Sequence, residues 1–354
     1  EQYEIFLSEE VLQFIKRSSS APVKHWIVKI VGRQQLKTQN PKTLPNVLIL
    51  YGSLLKNAIQ DIPASLSVAK EIITFSTIML NSSLRLILLQ SSTGNLLTQQ
   101  MQLNQQILSI KDSPSATLRN HAFKFIERLI LCFSYAEGQN PSPSGDSFSL
   151  SEIKESLPPP FTVESLAMLG RNLLGELIET LQRFASNTKK EPKNANIPNQ
   201  VIIINSLVII QSNRARQFAN QIIVALSEVT QQASLSWNAN SQSRSLSYTL
   251  RHALISIMLT NKWETGTELL SALTRLDAKD RAESLYKQLR PLEFRDLKRS
   301  STRSNTSFEV QPPPAKRQRI DVPSTPSGPS ASQTNVANFI VNTLNSLNPP
   351  DSFK

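Results

Sequence analysis

Glycine is scarce in this chain, at 9 of 354 residues, well under the ~7% average. That scarcity argues against the glycine-rich turns of barrels, sandwiches and nucleotide-binding sheets. The single cysteine, Cys132, sits in the apolar run LILCF; it excludes an intrachain disulfide and any cysteine-based zinc cluster, and reads as a small core residue. Histidine occurs three times, at His25, His121 and His252, each inside a predicted helix and none at HExxH or other ligand spacing. Gly170 and Gly175 stand alone in one helix with no GKS or GKT, and no serine has the GxSxG setting of an exposed nucleophile. Glu176 and Glu179 lie on an expected solvated face with no convergent partner, so they do not form an acid–base pair. The longest apolar run, VIIINSLVII at Val201–Ile210, is interrupted by Asn205 and Ser206 and falls short of the ~20 residues that span a bilayer. These absences point away from an enzyme, a cofactor and a membrane span.

What the chain does have is apolar side chains and positive charge. Hydrophobic residues make up 39% of it and the formal net charge is +11, enough apolar surface for a sizeable core. Residues 291–354 hold 8 Lys and Arg against 5 Asp and Glu, so most of the excess lies in residues 1–290. The cations read as spread over many helices of a generally solvated surface that attracts acidic partners. RNP-type aromatic strands, GxxG clamps and interleaved basic and aromatic residues are missing from the folded part, so contact with RNA is expected to be weak or indirect. The chain begins at Glu1 without methionine or a basic-then-apolar leader, and is expected to be a fragment of a longer one.

Apolar periodicity and breakers predict helices at Glu4–Arg17, Val23–Lys37, Thr43–Gln60, Ala64–Leu89 (broken near Asn81–Ser83), Asn95–Lys111 and Ser115–Ala136. Glu137–Pro160, rich in proline, serine and glycine, reads as a long loop. Helices resume at Phe161–Ser186, Pro198–Gln211, Ala215–Ala233, Gln242–Thr260, Trp263–Leu276 and Ala278–Leu289. Asn187–Ile197, with Lys189, Lys190 and Lys193, reads as an exposed basic loop. The expected fold is therefore all-α: antiparallel helix pairs stacked as a HEAT/ARM-like α-solenoid over residues 1–290. A compact bundle is the alternative, and VIIINSLVII has the β-branched content of a buried strand as well as the setting of a helix.

Beyond Arg290 proline, serine, threonine and charge dominate, and residues 291–354 are expected to be a disordered basic tail. Within it PPPAKRQRIDVP (residues 312–323) places Lys316, Arg317 and Arg319 after a proline run, as in a monopartite nuclear import signal read by an import receptor. A generic solvated basic tail is the plainer reading. Ser142-Pro143 and Thr325-Pro326 fit proline-directed phosphorylation. Thr334–Leu347 carries a short amphipathic stripe, either a docking helix or the start of a further region.

The segment SATLRNHAFKFIERLILCFS (Ser115–Ser134) places Leu118, His121, Ala122, Phe125, Ile126, Leu129, Ile130 and Phe133 on one broad helical face. Together with VLQFIKRSSSAPVKHWIVKIVGR (Val11–Arg33), the leucine-rich Ser165–Leu181 and SYTLRHALISIM (Ser247–Met258), it resembles the N-terminal helical-repeat domain of the symplekin family. The resemblance implies a nuclear, non-enzymatic scaffold of the pre-mRNA 3′-end cleavage and polyadenylation machinery. It implies a curved HEAT array whose concave side holds an RNA polymerase II C-terminal-domain phosphatase, with cleavage and polyadenylation subunits held by neighbouring regions. Carried onto this sequence, it makes Lys124 the candidate partner-binding residue, with Arg119 and Arg128 added by helical proximity. An armadillo-type nuclear transport adaptor and a helical nucleic-acid-binding subunit are the alternatives, although Trp26, Trp237 and Trp263 follow no armadillo-like period.

Overall fold

Proline and serine set where several helices begin. Pro22, Pro45 and Pro198 each sit in the first turn of a helix, where a missing N–H costs nothing. Ser115 accepts a hydrogen bond from the Leu118 N–H at the start of another. In the computed structural model, residues 20–89, 94–136, 148–153, 157, 160–190, 196–233, 241–260, 266–276, 278, 280 and 284 are described; all belong to one unit, Glu1–Leu297. The α-helices are α1 (Ala21–Thr38), α2 (Leu44–Gln60), α3 (Ile62–Leu89), α4 (Gly94–Ser109), α5 (Ala116–Cys132), α6 (Val163–Lys190), α7 (Ile197–Asn213), α8 (Ala215–Ala233), α9 (Ser241–Thr260) and α10 (Gly266–Arg275). Short 3₁₀ turns occupy Ile110–Asp112 and Leu150–Glu152, and there is no strand among the described residues.

Packing follows chain order. Each helix packs on the next and, α4 with α6 excepted, on the next but one, and no more distant pair packs comparably. The odd helices α1, α3, α5, α7 and α9 form one continuous layer, with the even helices in a second. Within the odd layer the helices run parallel. His25 and Gly32 of α1 meet Glu71 and Phe75 of α3. Thr74 and Asn81 of α3 meet His121 and Cys132 of α5. Arg119 and Leu131 of α5 meet Asn199 of α7 and Arg214 just past its end. Helices antiparallel in sequence and parallel every second one make a solenoid, in which stability is a sum of neighbour contacts. The bundle alternative is thereby set aside. Odd helices start at residues 21, 62, 116, 197 and 241; the interval is HEAT-like at both ends and stretched in the middle, which is why the period is faint in the sequence.

Several boundaries differ from expectation. No break occurs at Asn81–Ser83: α3 is continuous through them, because the Cys132 thiol donates to Asn81 Oδ1 at 3.0 Å and Ser82 donates to the Met79 carbonyl. Buried polar groups with partners do not interrupt a helix. At 28 residues, α3 is also long and apolar enough to cross a membrane by length and composition. Here it is a core helix wedged among α1, α2, α4 and α5. Helix α5 stops at Cys132 rather than Ala136, where Phe133 becomes its C-cap. Helix α6 runs on to Lys190, so Asn187–Lys190 are helical rather than loop. Helix α10 is described from Gly266 to Arg275, and the expected start at Trp263 lies outside the described residues. VIIINSLVII is helix α7, lying between α5 and α9 with α6 and α8 behind it.

The expected loop 137–160 is partly packed. Phe148 and Leu150 are buried, Leu150 N–H donates to the Ser134 carbonyl, and Glu152 accepts from Arg85 Nη2 at 2.8 Å and Nε at 3.2 Å. Two apolar residues and one ion pair suffice to anchor this stretch to the ends of α3 and α5. The predicted helix Glu4–Arg17, most of Ala278–Leu289, Lys193, Ser142-Pro143, and the tail with Lys316, Arg317, Arg319 and Thr334–Leu347 lie outside the described residues.

The even layer is uneven. α2 packs on α4, and α6 on α8 and α8 on α10, but α4 and α6 have little packing between them. Ion pairs bridge that joint instead: Lys111 with Glu176, and Asp112 with Arg183 at 3.9 Å. Glu176 is therefore partnered rather than simply solvated. On the inner side of α6, a Cβ at Gly170 would run into the Phe133 carbonyl, whereas a Cβ at Gly175 meets nothing within 4 Å.

The two glycines should respond with opposite signs in urea or thermal unfolding. Gly170→Ala is expected to destabilise by about 1–3 kcal/mol through the backbone clash. Gly175→Ala is expected to stabilise by up to about 1 kcal/mol, the helix-propensity gain of alanine over glycine.

Candidate partner-binding face

Helix α5 has one thin outward stripe on an otherwise buried cylinder. Leu118, Ala122, Phe123, Phe125, Ile126, Leu129 and Ile130 are all buried, and Phe123 meets Phe184 of α6 edge-on at 6.4 Å. His121, Lys124, Glu127 and Arg128 remain between the buried positions, all partly exposed. The spacing of 121, 124 and 128 puts these three on one line along the helix.

The three cations singled out by sequence are not equivalent. Lys124 Nζ donates to Glu127 Oε2 at 2.8 Å, with the lysine side chain 41% and the glutamate 12% exposed. An i,i+3 pair of this kind is worth well under about 1 kcal/mol, so a partner's carboxylate can compete for the ammonium at little cost. Arg128, one turn on, shares the stripe and lies close enough to Cys132 to lower its pKa, yet burial still pushes that thiol up to about 12. Arg119 is elsewhere in role. Its guanidinium donates to the carbonyls of Ser113 at 2.6 Å and Pro114 at 3.1 Å, and to Oδ1 of Asn196 and Asn199, both at 2.9 Å. Burial lowers its pKa. Arg119 is thus a fork that joins the start of α5 to the start of α7, and Asn199 extends the same network to Asn120 and the Ala116 carbonyl.

The neighbouring helix adds residues that the sequence did not single out. Thr74 Oγ1 lies 3.3 Å from His121 Nδ1, which places Lys70 and Thr74 of α3 beside the α5 stripe. Ile78, one turn further along α3, is 52% exposed. Sequence periodicity alone places Ile78 in an apolar run; only the packing of α3 shows that its side chain faces out. Burial lowers the His121 pKa, helped by Lys70 and opposed by Glu71. His25 contacts Glu71 at 3.6 Å, and His252 stacks against Tyr248 with ring centroids 4.1 Å apart. Each histidine is accounted for by helix contacts. No group of three or more His, Cys, Asp or Glu among the described residues is placed to hold a metal ion.

Charge is also less evenly spread than the sequence reading had it. Residues 20–89 contain 8 Lys and Arg and only 2 Asp and Glu, a concentration in α1 to α3 that counting along the whole chain hides.

Residues 65–290 match the protein-family model described as symplekin/PTA1 N-terminal. No curated protein matches the chain.

The lowered His121 pKa gives a signed prediction. The unfolded chain, with histidine near 6.5, takes up protons at a higher pH than the folded one. Stability from this site is therefore complete above about pH 6.5 and is lost as pH falls through the lower folded pKa. Urea melts from pH 7.5 to 5 should show a steeper loss for wild type than for His121→Gln. In the same assay at pH 7.5, Arg119→Ala should lose about 2 kcal/mol, since it removes several charge-assisted hydrogen bonds and leaves asparagine acceptors unpaired.

Proposed function

Because this chain belongs to the symplekin/PTA1 N-terminal family, a scaffold family of mRNA 3′-end processing, we propose that it works without catalysis, as a docking array that positions enzymes of that machinery. The observation that supports this most directly is the family match over residues 65–290, which takes in α3 to α10 of the solenoid. A solenoid of this kind offers a long, side-chain-lined surface rather than an enclosed pocket.

The partner proposed for the α5 stripe is an RNA polymerase II C-terminal-domain phosphatase. Lys124 is the central contact, Arg128 and Lys70 extend the positive field, and Ile78 offers an apolar anchor beside it. A half-exposed isoleucine rimmed by cations is the arrangement that lets a small apolar contact be desolvated while charges set orientation and on-rate. Arg119 is kept out of this contact because its donors are spent on α7 and the α5 entry turn. Cleavage and polyadenylation subunits are the further partners proposed for the array, and nuclear entry is proposed to use Lys316, Arg317 and Arg319 through an import receptor.

A pull-down from nuclear extract with the full chain as bait tests the reading. Wild type should recover the phosphatase, Lys124→Glu and Ile78→Asp should each reduce recovery by about tenfold or more, and Arg183→Glu, on the opposite layer, should not. Recovery of import factors alone, with no processing protein, would remove the docking proposal and leave the family and fold.

A further inference from the structure

Helix α1 lies outside the matched residues 65–290, and its exposed face combines an open tryptophan with a row of cations. Val28, Val31, Gly32 and Gln35 form its buried side, pressed so closely on α2 and α3 that a Cβ at Gly32 would overlap Phe75 and the Tyr51 hydroxyl. On the other side Trp26 is 61% exposed, the most open large apolar side chain among the described residues. Lys29, Arg33 and Lys37 follow it at i+3, i+7 and i+11, a straight line about 16 Å long. Arg33 and Lys37 are exposed and Lys29 is half-exposed. Among the described residues none of the three makes an ion pair. Neither α1 nor α2 contains an acidic residue, and Glu71 of α3 is turned towards His25.

An exposed tryptophan that heads a row of cations, with no carboxylate in α1 or α2 and the one α3 carboxylate turned to His25, is poorly explained as a solvated helix face. The solvated face of α6, by contrast, mixes signs and carries no tryptophan: it exposes Glu164, Arg171, Glu176, Glu179 and Arg183. We propose that the stripe Trp26, Lys29, Arg33 and Lys37 is a docking surface for single-stranded RNA, bound without sequence preference. The indole offers a base a flat stacking partner, and the cations track the phosphates that follow it. An acidic peptide would use the three cations but leave the indole without a planar partner. Duplex RNA would keep its bases stacked on each other and out of its reach. The choice of RNA over DNA rests on the 3′-end processing reading above; the geometry of the stripe does not.

Fluorescence anisotropy with the full chain and a labelled 12-nucleotide single-stranded RNA tests the proposal. Reversal of all three cations (K29E, R33E and K37E) should weaken binding at least tenfold and lower the salt slope by roughly 2–3. Trp26→Ala should weaken it by about fivefold or more with the salt slope unchanged. Arg171→Glu with Arg183→Glu, on the other layer, should change it less than twofold. Circular dichroism melts should shift little in all variants, because every changed side chain is at least partly exposed and the Arg183–Asp112 pair lost in the control is an exposed one. Equal loss from the α1 and α6 reversals would overturn the proposal in favour of a general field. So would duplex RNA or poly-glutamate binding as tightly as the single strand, or a Trp26→Ala protein that binds like wild type. Ultraviolet crosslinking in nuclear extract assigns the strand: RNase-sensitive label on the peptide bearing Trp26 is expected, and DNase-sensitive label would refute the RNA assignment. These readouts do not involve Lys124, so a failed phosphatase pull-down and a failed RNA titration are separate results.

Discussion

The register between α5 and α7 is held by an arginine at each end, and the rest of the array hangs on that joint. Arg119 forks at the entry of both helices, bonding the carbonyls before α5 and the asparagines that begin α7. At the other end Arg214, buried just past α7, donates to the Ser134 hydroxyl at 2.8 Å and the Leu131 carbonyl at 2.9 Å. A guanidinium there meets both the unpaired carbonyls and the negative end of the α5 dipole. With both ends tied, α5 and α7 run parallel, and the helices stacked on either side inherit that direction. Burying such groups is costly unless each donor is used, so these two residues specify a geometry as much as they stabilise it.

That joint explains how the solenoid tolerates its own irregularities. Residues 133–162 separate α5 from α6, and α4 barely packs on α6. The even layer is bridged there by surface ion pairs, which contribute little. The odd layer is not interrupted: α3, α5 and α7 are continuous through Asn81, Cys132, Arg119 and Arg214. Continuity in one layer is enough to keep neighbours in register, because in a repeat array each unit needs only its immediate neighbours. The same layer presents the two surfaces for which function is proposed, the α5 stripe with Lys124 and the α1 stripe with Trp26.

Most of the helices were legible in the sequence, and the errors have one cause. Asn81 looked like a break because an unpaired asparagine disfavours helix; its partner, Cys132, is supplied by another helix 51 residues away in the chain. Phe148 and Leu150 looked like loop residues because their neighbours are proline, serine and glycine; they are buried by the ends of helices that precede them. Arg119 looked like a surface cation five residues from Lys124; the asparagines that engage it are 77 and 80 positions downstream. Each misreading concerns a side chain whose environment is set by a distant segment.

By itself, then, the sequence determined the all-α class, the order and approximate extent of the helices, the absence of a nucleotide loop or cysteine cluster, and the outward position of Lys124. These are local matters: periodicity, proline and glycine placement, and residue counts act over one or two turns. Only the tertiary structure decided which polar residues are clamps and which are surface, that the helices stack as parallel layers rather than a bundle, and that Ile78 is exposed one turn beyond the Thr74 that meets His121 of α5. The exposure of Trp26 at the head of three cations is of the same kind. Those facts depend on how one helix's face meets another's, and the geometry of that meeting is set by side chains far apart in the chain.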